Sequence, residues 1–510
     1  MDKKKLTESL LELIIQTSTN LTDDVKAAIY KAQLEEEVGG RASMILSTVV
    51  NNITDAKETT LPICQDTGMP AFYIHTPIGV NQLEIQEAAN DAIVEATRLG
   101  KLRPNSVDSI TGVNTGNNLG VNVPIFTFEQ WEKDEIEVKL ILKGGGSENQ
   151  SAQYSLPAQI EGLGSAGRDL DGIRKCILHA VYNAQGHGCA AGFIGVGIGG
   201  DRASSYGLAK KQLFRRLDDV NEMPELAELE DYILDAANQL DIGMMGMGGK
   251  KTLLGCKIGA NNRIAPSFFV SVAYNCWAFR RRAILIDPNT SEITKWYYDE
   301  ENKEEAKAEG GSINIEDAIV LNTPLQEEDV RKLKVGDVVI INGEIHTGRD
   351  NLHKYLVDNE SPIDLNGGII YHCGPVMIKD EAGNWKVNAA GPTTSIREEP
   401  YQDKVIKKFG LRGIIGKGGM GANTLKALEE HGAVYLNAIG GAAQFYAKKL
   451  NKVNGVHFLE EFGVPEAMWH LQTEGFVAIV TMDSHGNSLH KEVQEKSLKN
   501  LSDFKEKVFK

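Results

Sequence analysis

The sequence predicts an α/β (α+β) protein with two domains, of which the first is the larger. Three observations support this fold class. Amphipathic helical patterns fill the region from Leu6 to about Ile53, an alternating strand covers Ile136–Leu142, and short apolar strands alternate with helices after about residue 330. A chain of 510 residues is also longer than one hydrophobic core usually supports. We expect domains at 1–286 and 327–510, joined by a linker at 287–326.

The first domain is expected to begin with helices. Apolar residues recur at helical spacing from Leu6 onward, which predicts two or three amphipathic helices before Ile53. The other predicted elements of this domain are a helix at Leu83–Leu99, the strand Ile136–Leu142, a helix at Asp169–Gln185 and a helix from about Ser204 to Leu217.

The linker is predicted from a change in composition. Asp299–Glu309 is a run of charged residues, and Gly310-Gly-Ser312 follows it. Such segments are typical of domain boundaries, although a solvated surface helix inside one domain has the same composition. Beyond it we expect buried strands at Val338–Asn342, Gly368–Tyr371, Gly413–Ile415, Ala433–Leu436 and Val477–Thr481, and helices at Asn423–Glu430 and Gly441–Leu450.

Composition and charge exclude several classes of function. The net charge of −16 opposes broad electrostatic binding to nucleic acid or to an anionic membrane. The sequence contains no run of 18 apolar residues, and its N-terminus lacks the features of a signal peptide, so we expect no membrane partner. Six cysteines in so long a chain argue against a disulfide scaffold and favour a reducing, cytoplasmic setting.

Three cysteines are candidates for a metal centre. Cys64, Cys189 and Cys276 are far apart in sequence, and each lies in a short stretch rich in glycine or polar residues. We interpret them as three thiolate ligands of one iron–sulfur cluster. Such clusters normally take four thiolates, so three would leave one iron free to bind a substrate oxygen as a Lewis acid. The chain contains no CxxC pair, which disfavours a zinc ribbon or a ferredoxin-type cluster.

The other cysteines need separate interpretations. Cys176 lies among apolar residues of the helix predicted at Asp169–Gln185 and is expected to be a small buried hydrophobe. Cys256 follows Leu253-Leu-Gly255 and stays ambiguous. Cys373, in His372-Cys-Gly-Pro375, is a candidate neighbour of a site in the second domain.

Two other functions compete with the cluster hypothesis. Gly195-Val-Gly-Ile-Gly-Gly200 matches the dinucleotide fingerprint G-x-G-x-x-G, and Asp218 and Asp219 follow at about the expected distance, which would indicate an NAD-dependent oxidoreductase. A labile cluster would also suit an iron- or redox-sensing regulator, but no nucleic-acid-binding module is recognisable. A phosphate loop near Met244 is rejected, because methionine stands where the motif requires its first glycine.

Seven motifs are distributed over nearly the whole chain. They are Ile63-Cys-Gln-Asp-Thr-Gly68, Lys143-Gly-Gly-Gly-Ser-Glu-Asn149, Cys276-Trp-Ala-Phe-Arg-Arg281, His346-Thr-Gly-Arg-Asp350, Cys373-Gly-Pro-Val376, Gly391-Pro-Thr-Thr-Ser-Ile-Arg397 and Gly416-Lys-Gly-Gly-Met420. Together they resemble those of one enzyme family, the class I (iron–sulfur) fumarate hydratases in their single-chain form. The first part of the chain is similar to the alpha subunit, and the part after about residue 330 to the beta subunit, of fumarate and tartrate dehydratases.

The resemblance implies a [4Fe–4S] cluster on Cys64, Cys189 and Cys276 and the reversible dehydration of (S)-malate to fumarate. It also implies a homodimer, a mobile C-terminal β/β/α domain, a small dicarboxylate as the binding partner, and Thr393 as the base with Asp66 as its acid partner. Tartrate and mesaconate/citramalate stay open as alternative substrates. The implied dicarboxylate contacts are Gln65, Asp66, Arg103, Gly146, Arg349, Thr393, Arg397 and Lys417.

The chemistry sets conditions on two of these residues. A threonine hydroxyl is a very weak base, so Thr393 needs a nearby cation such as Arg397 to lower its pKa. Asp66 can act as an acid only if its pKa is raised, which burial would do, and otherwise it is expected to orient a cluster ligand. Arginine and lysine suit the carboxylates of the substrate, whose charge grows as the C–H proton leaves.

Overall fold

The computed structural model of the chain describes residues 1–299, here called the N-terminal part, and 317–509, the C-terminal part. Helices and strands are mixed along both parts, which confirms the predicted α/β class. Apart from Asp299, the charged run and the Gly310-Gly-Ser312 segment predicted as a linker lie outside the described residues. None of the described helices is long and apolar enough to cross a membrane.

The N-terminal part begins with helices, and strands follow. Asp2 caps the first helix by accepting hydrogen bonds from the backbone N–H groups of Lys4 and Lys5. In chain order, the elements are α1 (Lys3–Thr19), α2 (Asp23–Glu35), α3 (Arg41–Thr59), β1 (Met69–Pro77), α4 (Gln82–Arg98), β2 (Ile125–Trp131), β3 (Ile136–Lys143), α5 (Gly145–Glu148), β4 (Ala152–Ser155), β5 (Ala158–Ile160), β6 (Gly164–Ala166), α6 (Leu170–Ala184), β7 (Gly192–Ile198), α7 (Arg202–Gln212), α8 (Pro224–Asn238), β8 (Leu253–Ala260), β9 (Phe269–Asn275), β10 (Arg281–Ile286) and β11 (Ile293–Trp296).

The C-terminal part alternates strands and helices more regularly, as its sequence pattern predicts. Its elements are β12 (Ile319–Asn322), α9 (Glu327–Val330), β13 (Val338–Thr347), α10 (Asp350–Asp358), β14 (Ile369–Tyr371), β15 (Val376–Lys379), β16 (Trp385–Ala389), α11 (Glu399–Phe409), β17 (Gly413–Gly416), α12 (Ala422–His431), β18 (Val434–Asn437), α13 (Ala443–Ala447), β19 (Leu450–His457), α14 (Leu459–Phe462), β20 (Met468–Met482) and α15 (Leu489–Ser502).

Two main sheets carry the N-terminal part. One has the strand order β11-β10-β3-β1-β2, with β3 antiparallel to both β1 and β10. The other has the order β4-β9-β7-β8, in which β7 is antiparallel to β9 and parallel to β8. The three candidate cysteines lie in the loops that precede β1 and β7 and in the loop that follows β9, so the two sheets together position the predicted metal centre.

The main sheet of the C-terminal part is closed. Its order is β12-β13-β14-β17-β18-β20-β19, and an additional pairing of β13 with β20 joins five of these strands into a ring. The parallel strands β14, β17 and β18 lie side by side, so the loops at their carboxyl ends meet at one edge. The Cys373 and Lys417 segments follow β14 and β17 at this edge.

The end of the chain returns to the N-terminal part. Arg174 of α6 donates hydrogen bonds of 2.9 Å to the carbonyl oxygens of Phe504 and Glu506, and Leu501 belongs to the buried cluster around α6 and α8. Another buried cluster spans both parts, with Trp277 from the first and Tyr446 from the second. The two parts therefore share one continuous core around the candidate site.

Candidate active site

The structure brings the three candidate cysteines together in one buried place. The side chains of Cys64, Cys189 and Cys276 are all buried. Burial, together with the negative charges of Asp66, Cys276 and Cys189, raises the pKa of the Cys64 thiol to about 12, although the charge of Arg280 opposes the shift. Cys276 and Cys189 therefore lie within electrostatic reach of Cys64. Thiols far apart in sequence thus meet where a shared ligand would fit.

Two local features allow Cys189 to approach the C-terminal part. Its φ of 56° lies in the left-handed region, in the loop between α6 and β7. A Cβ atom on Gly440 would lie only 2.5 Å from Cys189 Sγ, so any residue larger than glycine at this position would displace the thiol.

Lys417 links the thiols to the second part of the chain. It follows β17, is buried, and its Nζ donates a hydrogen bond of 2.6 Å to Cys189 Sγ. Burial works to lower the pKa of this amine, but Cys189, with Cys64 and Cys276 beyond it, raises the pKa above its usual value. Lys417 is therefore charged, and its charge favours the thiolate form of Cys189 against the opposing effect of burial.

Asp66 follows Cys64 and Gln65 in the first motif and is ionised in the structure. Its Oδ1 lies 3.3 Å from Arg103 Nη2 and accepts a hydrogen bond of 3.3 Å from the backbone N–H of Gly68. Burial works to raise its pKa, but four nearby cations lower it to about 2: Arg103, Arg280, Lys417 and Arg349. The raised pKa expected for an acid is thus absent from this state, because the cations outweigh burial.

The glycine-rich segment after β3 packs against these groups. A Cβ atom on Gly144 would lie 3.0 Å from Asp66 Oδ2. One on Gly146 would lie 3.4 Å from Thr394 Oγ1 and 3.5 Å from Lys417 Nζ. The glycines let the backbone come close to charged groups of both parts of the chain, as a loop that cradles an anion requires.

Gln65 and Arg103 reach across to the C-terminal part. Gln65 Nε2 donates to the carbonyl oxygen of Pro392 at 3.2 Å, and Arg103 Nη1 donates to that of Gly374 at 2.5 Å. Both side chains are almost fully buried. The first part thus contacts directly the segments that carry Cys373 and Thr393.

Thr393 lies beside the cation that its predicted role requires. Arg397 Nη2 donates to Thr393 Oγ1 at 3.2 Å and also lies 3.3 Å from Asp350 Oδ2. The backbone N–H of Thr393 donates to the carbonyl oxygen of His372 at 2.7 Å, which fixes the loop to β14. The contact between Arg397 Nη2 and Thr393 Oγ1 is the one that would make the Thr393 hydroxyl easier to deprotonate.

Two arginines of the C-terminal part retain unused donors. Arg349 Nη1 lies 3.1 Å from Glu466 Oε1, while its Nε is buried and has no hydrogen-bond partner among the described residues. Arg397 Nε is likewise buried and without a hydrogen-bond partner among the described residues. Buried donors of this kind are costly unless a ligand accepts from them, so both side chains are ready to bind an anion.

Sequence reasoning missed Arg280 as a site residue. It is 1% exposed, and its Nε and Nη1 have no hydrogen-bond partner within residues 1–299 and 317–509. Its charge acts on both Cys64 and Asp66. The available signal was its position in the Cys276-Trp-Ala-Phe-Arg-Arg281 motif, four residues after a candidate ligand.

Glu398 is a second residue that was missed. It is fully buried, both of its carboxyl oxygens lack a hydrogen-bond partner among the described residues, and Oε1 lies 3.8 Å from Arg397 Nη2. Burial, with the charge of Asp350, raises its pKa to about 8. No motif or spacing in the sequence indicates this. The next residue, Glu399, has a different role, because its carboxylate accepts hydrogen bonds of 2.8 and 3.0 Å from the backbone N–H groups of Gly421 and Asn423 at the start of α12.

The other three cysteines are buried in the described structure. Cys176 lies in α6 within the apolar cluster that also contains Ile173 and Ile177, as predicted. Cys256 is buried in β8, within the same cluster. Cys373 lies close enough to Arg103 and Arg349 for their charges to act on it, so the expectation that it neighbours a site agrees with the geometry.

The glycines of the apparent dinucleotide fingerprint serve packing. Gly195 and Gly197 lie inside β7, and a Cβ atom on them would come within 2.1 Å of the carbonyl oxygens of Ala209 and Ser205 in α7. The fingerprint requires its glycines in the turn between strand and helix, and β7 has an antiparallel neighbour, β9. The structure therefore does not support a dinucleotide-binding loop at Gly195–Gly200.

Comparison with known proteins agrees with the site. The family model described as "Fumarate hydratase (Fumerase)" matches residues 7–284, and that described as "Fumarase C-terminus" matches residues 289–493. A Geobacillus stearothermophilus protein provisionally named a class I fumarate hydratase is 62% identical over 99% of this chain and 100% of its own length.

Separate subunits match each part of the chain. In Methanocaldococcus jannaschii, a protein provisionally named L(+)-tartrate dehydratase subunit alpha is 33% identical over 54% of this chain and 96% of its own length. The provisionally named subunit beta is 45% identical over 35% of this chain and 94% of its own length. With both family models matched and a relative alike from end to end, the chain belongs to the class I fumarate hydratase family of enzymes.

Proposed function

We propose that this enzyme interconverts (S)-malate with fumarate and water at the site between its two parts. The observation that carries the proposal is one arrangement: three buried thiols, with cationic side chains from both parts around them, in a chain whose net charge is −16. Cations gathered against such a background are suited to a small dianion. The family supports the reaction class, and the choice of malate is our inference.

The residues present fit a [4Fe–4S] cluster. Cys64, Cys189 and Cys276 would hold it, and the charges of Lys417 and Arg280 would offset the negative charge of their thiolates. When bound by these three thiolates, the cluster would supply a Lewis-acidic iron for the substrate hydroxyl.

The side chains of the protein would bind and orient the dicarboxylate. Arg349 Nε and Arg397 Nε have no hydrogen-bond partner among the described residues, and Arg103 and Lys417 bring further charge, one from each part of the chain. A guanidinium group can grip a carboxylate through two parallel hydrogen bonds. These cations would also stabilise the charge that develops as the C–H proton leaves.

Thr393 and Asp66 are our candidates for moving the proton. The charge of Arg397, whose Nη2 is 3.2 Å from Thr393 Oγ1, favours the deprotonated hydroxyl. Asp66 is ionised without substrate, because four cations hold its pKa at about 2. A bound dianion would engage the same cations and so raise the pKa of Asp66, which is the change that an acid role requires.

Serine substitutions of single cysteines test the proposal. We expect Cys64→Ser, Cys189→Ser and Cys276→Ser to lose cluster absorbance and nearly all turnover, because each removes a thiolate ligand. Cys176→Ser and Cys256→Ser serve as matched controls, since both cysteines are also buried but belong to the hydrophobic cluster around α6 and α8. The measurements are iron and sulfide per chain and malate dehydration under anaerobic conditions. Iron-free wild-type protein with full activity would refute the proposal.

Tartrate is the second candidate substrate, because both parts of the chain resemble proteins named as tartrate dehydratase subunits. One added hydroxyl or methyl group changes binding by about 1–3 kcal/mol in many pockets. Comparing kcat/KM for malate, fumarate, tartrate and mesaconate on one anaerobic preparation decides among them. A preference for tartrate of about tenfold or more over malate would overturn our choice.

Three further proposals depend on the family resemblance and the sequence. We infer domains at 1–286 and 327–510 with a mobile second domain, a homodimer, and a cytoplasmic location. Light scattering of the purified holoenzyme tests the dimer, and a mass of one chain would reject it. Fractionation of the source cells tests the location.

A further inference from the structure

A cluster of histidines lies in the C-terminal sheet, on strands that hold none of the candidate thiols. His346 on β13 is paired directly with His470 on β20, and Glu344 lies two residues before His346. Side chains two residues apart on a strand, and those directly opposite on the neighbouring strand, point to the same face. The two imidazoles and the carboxylate therefore share one face of the sheet.

The distances within this cluster suit a shared ligand. One ligand atom from each of Glu344, His346 and His470 lies within 4.8 Å of the other two. Glu344 Oε1 and His346 Nε2 are 3.9 Å apart, compared with about 3.3 Å between two ligands of a tetrahedral Zn²⁺ ion. A small movement of the partly exposed Glu344 would close this difference.

Both imidazoles have buried nitrogens that nothing satisfies. His346 is 6% exposed and His470 is 7% exposed. His346 Nδ1 and His470 Nε2 have no hydrogen-bond partner among residues 1–299 and 317–509. Buried polar atoms without a partner are uncommon and cost free energy. A cation bound to His470 Nε2 would remove that cost there, while His346 would offer its other nitrogen, Nε2, which is the one that faces Glu344.

The surrounding groups support coordination. Glu344 Oε2 accepts a hydrogen bond of 2.6 Å from Asn454 Nδ2, which holds the carboxylate and leaves Oε1 facing His346. The His457 ring lies 5.0 Å from that of His470 and offers another nitrogen. The Glu344 side chain is 39% exposed, so a hydrated ion can reach the cluster from solvent.

We propose that Glu344, His346 and His470 bind one divalent transition-metal cation of the Zn²⁺ class, with His457 available as a fourth ligand. Imidazole and carboxylate donors in this number are typical of zinc sites and of non-haem iron sites. The ion would join β13 to β20 close to the point where β13 delivers Arg349, three residues beyond His346. Its role would be to hold that strand end in place, separate from any cluster on the cysteines.

Zinc retention by the holoenzyme tests this site. Anaerobic protein with its full iron content is mixed with Zn²⁺, desalted, and analysed for zinc and iron per chain. We expect about one zinc on the wild type, and a drop in zinc affinity of about tenfold or more for Glu344→Gln and His470→Gln. His485→Gln is the matched control, because His485 is an exposed histidine of the same part.

Thermal unfolding gives a second readout. Zn²⁺ should raise the midpoint of the wild type and of His485→Gln, but not that of Glu344→Gln, whose partly exposed side chain makes misfolding a lesser concern than at His470. Zinc that stays bound in both Glu344→Gln and His470→Gln would show that it sits elsewhere, for instance on thiols, and would overturn the proposal. A wild type that retains no zinc would overturn it as well.

Discussion

Arg280 brings a positive charge into the site while two of its nitrogens have no hydrogen-bond partner in the described chain. Its charge stabilises the ionised forms of both Cys64 and Asp66. We expect Arg280→Gln to reduce kcat/KM by about a hundredfold or more, because a buried anion without its counter-charge costs about 3–5 kcal/mol. Activity and iron per chain are measured together on anaerobic protein.

The conservative variant separates charge from structure at this position. Arg280→Lys retains the charge and should recover part of the loss. Arg263→Gln, at an exposed arginine, is the control and should behave as wild type. If Arg280→Gln retains both its iron and its full kcat/KM, Arg280 has no part in the site.

Glu398 should make stability depend on pH. Burial raises its pKa from 4.5 to about 8, so between these values the folded chain holds a proton that the unfolded chain has released. The resulting stabilisation is fully present below about pH 4.5 and is lost as the pH rises through about 8. We expect the melting temperature of the wild type to fall more steeply between pH 5 and 9 than that of Glu398→Gln. Parallel curves for the two proteins would contradict this.

At the residue scale, the motifs led to Cys64, Thr393 and Lys417 as candidate site residues, and these assignments stay predictions. Arg280 and Glu398 were not proposed, although Arg280 lies in one of the motifs. They become candidates through burial without hydrogen-bond partners among the described residues, which only the folded chain shows. The pKa of Asp66 was also beyond reach, since the cations that lower it come from segments far apart in sequence.

At the scale of single elements, the contact between β7 and α7 depends on glycine. A Cβ atom on Gly197 would lie 2.1 Å from the carbonyl oxygen of Ser205 in α7, whereas Gly207 on the same helix has no atom within 4 Å of its Cβ position. We expect Gly197→Ala to destabilise the fold by about 1–3 kcal/mol or more through overpacking. Gly207→Ala should stabilise it by about 0.5–1 kcal/mol, because alanine is the better helix former.

The two alanine variants form a matched pair for chemical denaturation or thermal unfolding. Both variants replace a glycine by alanine, but the Cβ position of Gly197 lies against α7, whereas that of Gly207 has no atom within 4 Å. Equal stability of Gly197→Ala and Gly207→Ala would mean that α7 can move away from β7. Packing against α7 would then no longer explain why β7 contains Gly195 and Gly197.

Elements with strong apolar periodicity were predicted well, and interrupted ones were not. The helical patterns before Ile53 correspond to α1–α3, and Ile136–Leu142 to β3. In contrast, β20 extends over Met468–Met482 although only Val477–Thr481 was predicted. Polar residues and Gly475, with its φ of 72°, interrupt the apolar pattern, and the strand continues because pairing with β13 and β19 holds it.

At the scale of the whole molecule, the site is completed only where the two parts meet. Asn52 of α3 accepts hydrogen bonds of 2.8 and 3.1 Å from the backbone N–H groups of Gln444 and Phe445, and so caps α13 from across the interface. Trp277 Nε1 donates to the carbonyl oxygen of Gly440 at 2.7 Å. Asn388 Nδ2 donates to that of Gly100 at 2.9 Å. None of these contacts needs the peptide chain that joins the parts.

The enzyme should therefore assemble from two separate chains. We expect residues 1–299 and 317–510, expressed together, to co-purify through a tag on one of them, to bind iron, and to dehydrate malate within about tenfold of the intact enzyme. Relatives in which separately named subunits match the two parts support this expectation. In the intact chain the covalent connection keeps each part at a high effective concentration near the other. Two separate pieces lack this connection, so their activity should fall on dilution, unlike that of the intact enzyme.

The Asn52 contact provides the control for this experiment. Asn52→Ala in the first piece removes an acceptor worth about 0.5–2 kcal/mol at a helix N-terminus, so it should weaken association of the pieces by about 2- to 30-fold. In the intact chain the same change should affect activity much less, because the covalent connection keeps the parts together. Pieces that fold but do not associate would show that the connecting segment itself, and not the shared core around Trp277 and Tyr446, holds the site together.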